Sequence, residues 1–165
     1  MRVLFLDVDG TLTDGVIGFG KDGDTRSFWI RDGIALEWAR DLGVLPVVIS
    51  GRDSQRGGGP HGPTSGSSTT SASPTRWRWR SGCWAASTSA GRQCVMVGDD
   101  LPGHPLLKRV GWPIAVGDCA PEVQARRART VLASPGGRGA VREAVEMVLR
   151  HNGIWARVLE RYEAM

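Results

Sequence analysis

The chain opens on an apolar run, Val3-Leu4-Phe5-Leu6, that passes directly into Asp7-Val8-Asp9-Gly10-Thr11. Four apolar residues stopped by turn formers read as a short strand buried on both faces, as in a parallel sheet. Carboxylates at i and i+2 on a strand share one face. At the C-terminal end of such a strand they point into the crevice where open α/β sheets bind ligands. Two acids converging there repel each other unless a cation lies between them. A hard, oxygen-seeking ion such as Mg²⁺ suits the pair. Asp9-Gly10 alone is an ordinary turn former, but the whole five-residue stretch behind a buried strand is far more specific.

The later pattern repeats that theme. Residues 16–30 alternate loosely around Lys21-Asp22-Gly23-Asp24, which predicts a β-hairpin inserted after the first strand. Its aromatics, Phe19, Phe28 and Trp29, suit an oligomer contact better than a core, because a protruding hairpin has little core of its own. Asp32 is expected as an N-cap and Gly43 as the residue just past a helix, with Ile34, Leu36, Trp38, Ala39 and Leu42 on its apolar face. Val44 to Ile49 reads as a second buried strand ending at Ser50-Gly51-Arg52. Residues 93–98 read as a third, ending at Asp99-Asp100, and Trp112 to Val116 and Thr130 to Leu132 as two more. Helices are expected around 105–110, 121–128 and 138–150. Helical spacing also runs through Ile154, Trp155, Val158, Leu159 and Tyr162. Strands alternating with helices predict an α/β fold with a parallel sheet.

At 165 residues the chain is long enough for one domain with a real core. No apolar run reaches membrane-spanning length, and acids interrupt the N-terminal apolar stretch too early for a signal peptide. Cys83, Cys94 and Cys119 are too few and scattered for a disulfide framework or a zinc site, so reduced thiols in a cytoplasmic protein are expected. The net charge of +4 suggests a polyanion partner only superficially. Residues 56–92 hold Arg56, Arg76, Arg78, Arg80 and Arg92 and no acid, and outside that segment acids slightly outnumber bases. No nucleic-acid or membrane partner is therefore expected.

Three strand ends thus offer Asp7 and Asp9, Ser50, and Asp99 and Asp100. Carboxylates from strands far apart in sequence, meeting at one sheet edge, suit metal-assisted phosphoryl transfer. Here the chain resembles the haloacid dehalogenase superfamily of phosphatases. Asp7-Val8-Asp9-Gly10-Thr11 is similar to its first motif, Ser50 to its second and Gly98-Asp99-Asp100 to its fourth. Asp14-Gly15, Arg31-Asp32-Gly33, Ser50-Gly51-Arg52, Gly98-Asp99-Asp100-Leu101-Pro102 and Gly136-Gly137-Arg138-Gly139-Ala140-Val141-Arg142-Glu143 narrow the resemblance. They point to the small capless subgroup that contains the 3-deoxy-D-manno-octulosonate 8-phosphate phosphatases. The resemblance covers residues 1–55 and 93–165.

It implies a Rossmann-like domain over 1–165 without a large cap, acting on a small sugar phosphate. Asp7 would be the nucleophile that forms an aspartyl-phosphate. Asp9 would protonate the leaving alkoxide and then activate water. Asp7, the Asp9 main-chain carbonyl and Asp99 would hold Mg²⁺, with Asp100 in support. Ser50 would hydrogen-bond a phosphoryl oxygen, and Arg31, Asp32, Gly33, Gly51 and Arg52 would contact substrate along with Asp9. The hairpin would build a homotetramer in which residues 151–165 form a tail over a neighbour's site, although an ordinary packed helix fits them nearly as well. Substrates of the acylneuraminate 9-phosphate type, or a role as a module beside a cytidylyltransferase, remain open, as does a non-catalytic assembly module.

The chain departs from the family in two places. Gly103 stands where relatives carry a third acid after Asp-Asp-Leu-Pro. The third-motif lysine is also missing: the chain has only Lys21 and Lys108, neither between Ser50 and Asp99. Losing such an electrostatic contact costs on the order of a hundred- to a thousandfold in rate.

The second departure falls in residues 56–92, which lack Leu, Ile, Val, Met, Phe, Tyr, Asp, Glu and Lys altogether. A Gly/Ser linker this long is out of place between two strands of one sheet. The composition predicts a frameshift. GC-rich codons for Pro60 to Ala90, read one base out of frame, can encode an amphipathic helix, a strand-like stretch and an Asp-Lys pair. As written, the segment cannot bury enough apolar surface to offset its ordering entropy, so weak order is expected there.

Overall fold

The structure, a computed structural model, describes residues 1–21, 23–50, 68–71 and 91–164. Eight strands are present among them: β1 (Val3–Asp7), β2 (Gly18–Gly20), β3 (Gly23–Thr25), β4 (Leu45–Ser50), β5 (Ser68–Ser71), β6 (Cys94–Gly98), β7 (Trp112–Ala115) and β8 (Thr130–Val131). The helices are α1 (Ile30–Asp41), α2 (His104–Leu107), α3 (Pro121–Arg126), α4 (Ala140–His151) and α5 (Ala156–Arg161). Six strands form one parallel sheet in the order β5-β4-β1-β6-β7-β8. β2 and β3 pair separately as an antiparallel hairpin, with Phe19 opposite Asp24. The expected α/β fold with its inserted hairpin is therefore present.

Alternation along β1 builds the two halves of the core. Leu4 and Leu6 join one cluster with Val48, Val95, Val97 and Ile114 and the apolar faces of α1 and α4. Phe5 joins the other with Val47, Ile49, Met96, Leu107 and Val123. Each fully buried leucine stabilises the fold by about 1.5–3 kcal/mol, so both faces of β1 are committed to packing. In α4 the buried residues Ala140, Val141, Ala144, Val145, Val148 and Leu149 repeat with helical period and meet α1.

One sequence expectation is corrected. Asp32 does not cap α1: Trp29 holds that position with extended backbone, and the Asp32 amide lies inside the first turn, bonded to the Trp29 carbonyl at 3.0 Å. The Asp32 carboxylate instead accepts the Arg142 amide of α4 at 2.7 Å. A helix N-terminus leaves amides without partners, and at α4 this one is met from another helix. Gly43, at φ +84°, ends α1 as expected.

The final residues pack on their own chain. Val158 is buried, the Trp155 ring meets Trp38 edge-on at 5.9 Å, and the Trp38 indole N–H donates to the Tyr162 hydroxyl at 3.1 Å. With Arg31, Ile34, Arg142 and Leu159 these side chains line an open cavity of about 360 Å³. Among the described residues no helix is long and apolar enough to cross a membrane. The segment expected to be frameshifted lies outside the described residues except for β5, Gly91 and Arg92. β5 is a strand of Ser68-Thr69-Thr70-Ser71, paired with β4.

Candidate active site

Register brings the three strand ends together. Asp7 lies opposite Ile49, so Ser50 is one residue further along β4. Leu6 lies opposite Val97, which places Gly98 level with Asp7 and Asp99 just beyond the sheet edge. Asp7, Ser50 and Asp99 thus leave three adjacent strands at one edge. This is the crevice that binds ligands in parallel α/β sheets.

The strand argument for Asp9 needs correction. β1 ends at Asp7, and the chain then folds into a compact loop, Val8–Leu12, in which the Thr13 amide returns to the Val8 carbonyl at 3.0 Å. Asp9 takes φ −76° and ψ 117° inside this loop, and Gly10 takes φ +84°. The loop, not strand alternation, directs the second acid. Asp7 is 7% exposed, and its carboxylate accepts the Val8 amide at 2.8 Å. Asp9 Oδ1 accepts Arg26 Nε–H at 2.7 Å in an ion pair with the residue that follows β3.

Asp99 meets the loop from the other side. Its Oδ1 accepts a long bond from the Thr11 hydroxyl at 3.4 Å. Partial burial, and then the Asp7 charge, push its carboxyl up to about 6. Asp99 therefore sits close enough to Asp7 for the two to repel as anions. Among the described residues, no three His, Cys, Asp or Glu side chains gather as a metal cage. Two carboxylates that repel still make an oxygen-only donor pair of the type Mg²⁺ prefers. Asp100 is exposed and accepts the Leu101 amide at 2.7 Å, which fixes the turn after β6.

The substrate residues expected from sequence are more scattered. Arg31 is exposed at the start of α1 and lines the cavity beside Trp38 and Arg142. Asp32 is only 2% exposed; its Oδ2 is buried without a hydrogen-bond partner, and burial raises its carboxyl above the usual range. Gly33 follows it, half-buried. Gly51 and Arg52 lie outside the described residues.

Two features had no role assigned from sequence. Arg26 carries no motif signal, because its partner is set by how the hairpin folds back. The Gly136-Gly137 turn was visible as a motif, but its use was not. The Gly137 amide donates to the Thr11 carbonyl at 2.9 Å, and a side chain on Gly136 would strike the Gly10 carbonyl. Asp118 accepts the Gly136 amide at 2.8 Å, and Glu143 accepts the Ala133 and Ser134 amides. This turn therefore braces the loop that carries Asp9.

Comparison with known proteins agrees with this geometry. No family model matches the chain. It is 31% identical over 161 residues to the 3-deoxy-D-manno-octulosonate 8-phosphate phosphatase KdsC of Escherichia coli K12, covering 93% of this chain and 81% of that one. It superposes with a TM-score of 0.84 on the Moraxella catarrhalis 3-deoxy-D-manno-octulosonate 8-phosphate phosphatase, solved with magnesium ion, phosphate ion and KDO; identity is 25%, and coverage 98% and 93%. The cobalt-bound Haemophilus influenzae enzyme gives a TM-score of 0.80 at 27% identity, with coverage of 94% and 91%. With its acids converging on one sheet edge and this likeness along nearly its whole length, the chain belongs to the KdsC family of 3-deoxy-D-manno-octulosonate 8-phosphate phosphatases, within the haloacid dehalogenase superfamily.

Proposed function

We propose that the chain is a Mg²⁺-dependent phosphatase that hydrolyses a sugar-acid phosphate of the 3-deoxy-D-manno-octulosonate 8-phosphate type. The observation that carries this reading is the register that brings the ends of β1, β4 and β6, with Asp7, Ser50 and Asp99, to one edge of the sheet. The relative bound to magnesium, phosphate and KDO supports the substrate class. Mg²⁺ fits the residues present: Asp7, the Asp9 carbonyl and Asp99 would hold it, with Asp100 in support. When bound, the ion would neutralise charge on the phosphoryl oxygens and the carboxylates.

The protein groups then divide the work. The Asp7 carboxylate attacks phosphorus and the bond to the sugar oxygen breaks. Asp9 gives that oxygen its proton, and Ser50 donates a hydrogen bond to a phosphoryl oxygen. In the second half Asp9 takes a proton from water, which attacks phosphorus and frees Asp7 and inorganic phosphate. Arg31, Asp32 and Gly33, with Gly51 and Arg52, are proposed to contact the sugar acid. The exposed hairpin aromatic Phe19, with Phe28 and Trp29, supports an assembly contact; a homotetramer in the cytoplasm is the form proposed.

Phosphate release from a panel of sugar phosphates, including acylneuraminate 9-phosphate, with and without Mg²⁺, tests the reading. Release should require Mg²⁺ and disappear in Asp7→Asn; activity that survives this change would overturn the assignment. The absence of lysine between Ser50 and Asp99 favours a second reading, a module kept for assembly without turnover. Tight binding of the sugar phosphate without release would select it.

A further inference from the structure

We infer that Arg26 is a positioning residue for the proton transfer made by Asp9, which rests on the phosphatase reading above. Arg26 Nε lies 2.7 Å from Asp9 Oδ1, in the range of a strong charge-assisted hydrogen bond. The pair is sheltered, with side chains 13% and 25% exposed. Most other ion pairs of the described residues are more open; Arg40 with Asp41 and Arg161 with Asp41 leave both partners at least 39% exposed.

The location gives the pair its meaning. Asp9 sits in a loop where Gly10 needs positive φ, so its carboxylate has no regular element to orient it. Arg26 comes from the hairpin, whose Gly18-Phe19-Gly20 strand is exposed throughout and brings little packing of its own. The pair ties that hairpin to the acid. With Oδ1 so engaged, the Asp9 side chain is held in one orientation. The chain has no lysine between Ser50 and Asp99, so a guanidinium joined to this loop also brings positive charge to a site rich in carboxylates.

The test compares two phosphate esters. The sugar alkoxide of 3-deoxy-D-manno-octulosonate 8-phosphate needs a proton to leave, whereas the nitrophenolate of p-nitrophenyl phosphate leaves without one. In Arg26→Gln, kcat on the sugar phosphate should fall at least about tenfold relative to kcat on the aryl phosphate, within the span that general acid catalysis supplies. The loss should lie in kcat rather than KM, and Arg26→Lys should recover part of it. Equal losses on both esters would mean a merely structural role. A rise in KM and in the inhibition constant of inorganic phosphate would mean direct phosphate binding. Either overturns the inference.

A thermal double-mutant cycle supplies a readout independent of turnover. Arg26→Gln should change Tm in the unsubstituted protein and leave Tm unaltered in an Asp9→Asn background. Identical shifts in the two backgrounds would refute the pairing. If the unsubstituted chain releases no phosphate from either ester, the phosphatase reading fails, and the melting cycle still decides whether Arg26 holds Asp9.

Discussion

A side chain on Gly10 would run into the Asp99 carboxylate. The loop after β1 and the turn after β6 therefore approach too closely to leave room for a Cβ between them. Gly10 also takes φ +84°, which costs other residues about 1–2 kcal/mol. Gly10→Ala should displace Asp99 from Asp7. A shift of about 1 Å in a reacting group can cost on the order of a hundredfold in rate. Steady-state phosphate release should fall by about that factor, and a circular dichroism spectrum should show the fold retained.

The Asp7–Asp99 repulsion predicts how pH and metal act together. The Asp99 carboxyl, at about 6, lies above its ordinary value in an unfolded chain. A raised carboxyl favours the folded state below the unfolded value, and that contribution is lost as pH rises through about 6. In metal-free protein this group should therefore raise Tm as pH falls from 7 towards 4. Mg²⁺ should raise Tm at pH 7.5, and the gain should shrink below pH 6 as protons compete for Asp99. Differential scanning fluorimetry with Mg²⁺ and with EDTA reads both effects. Asp99→Asn should abolish the Mg²⁺ gain.

Asp32 separates support from substrate contact. Its Oδ1 serves the Arg142 amide, while Oδ2 is buried without a partner. Asp32→Leu removes the acceptor and should destabilise by about 1 kcal/mol, the usual worth of a cap. Asp32→Asn keeps an acceptor and removes the buried charge, so denaturant midpoints at pH 7 should stay level or rise. The raised carboxyl favours folding most at low pH, and the Asn variant should lose that dependence. A rise in KM without a change in stability would show that Asp32 also touches the sugar acid.

The packing of Trp38 against Trp155 and Tyr162 makes the last segment part of the domain. Truncation after Gly153 exposes Trp38 and removes Val158 from the core. It should lower Tm by several degrees, since burying a valine is worth about 1.5 kcal/mol or more. Trp fluorescence should shift to the red. A tail that also reached a neighbouring site would add a rise in KM for the sugar phosphate but not for p-nitrophenyl phosphate.

Much of the scaffold was legible because its signals are local. Val3–Leu6 and Val95–Val97 are short apolar runs that end in acids, and a buried parallel strand demands that pattern. Asp7, Ser50 and Asp99 were legible with them, since strand ends at one sheet edge converge whatever lies between. The failures involve distant partners. Asp32 looked like the cap of its own helix, but the amide that claimed it belongs to Arg142, 110 positions later. Asp9 looked like a strand residue, yet the loop around Gly10 had already turned the chain. Arg26 gave no signal, because a salt bridge between a hairpin and a loop has no spacing rule. Gly136-Gly137 was visible as a motif, while its contact with Gly10 depends on two turns meeting in space.

The hairpin that carries Arg26 projects Phe19 into solvent at 79% exposure. An inhibitor that gripped this apolar tip and drew the hairpin aside would disarm the acid without entering the phosphate crevice. It would need no negative charge to compete with a phosphate ester, and raising substrate concentration would not dislodge it.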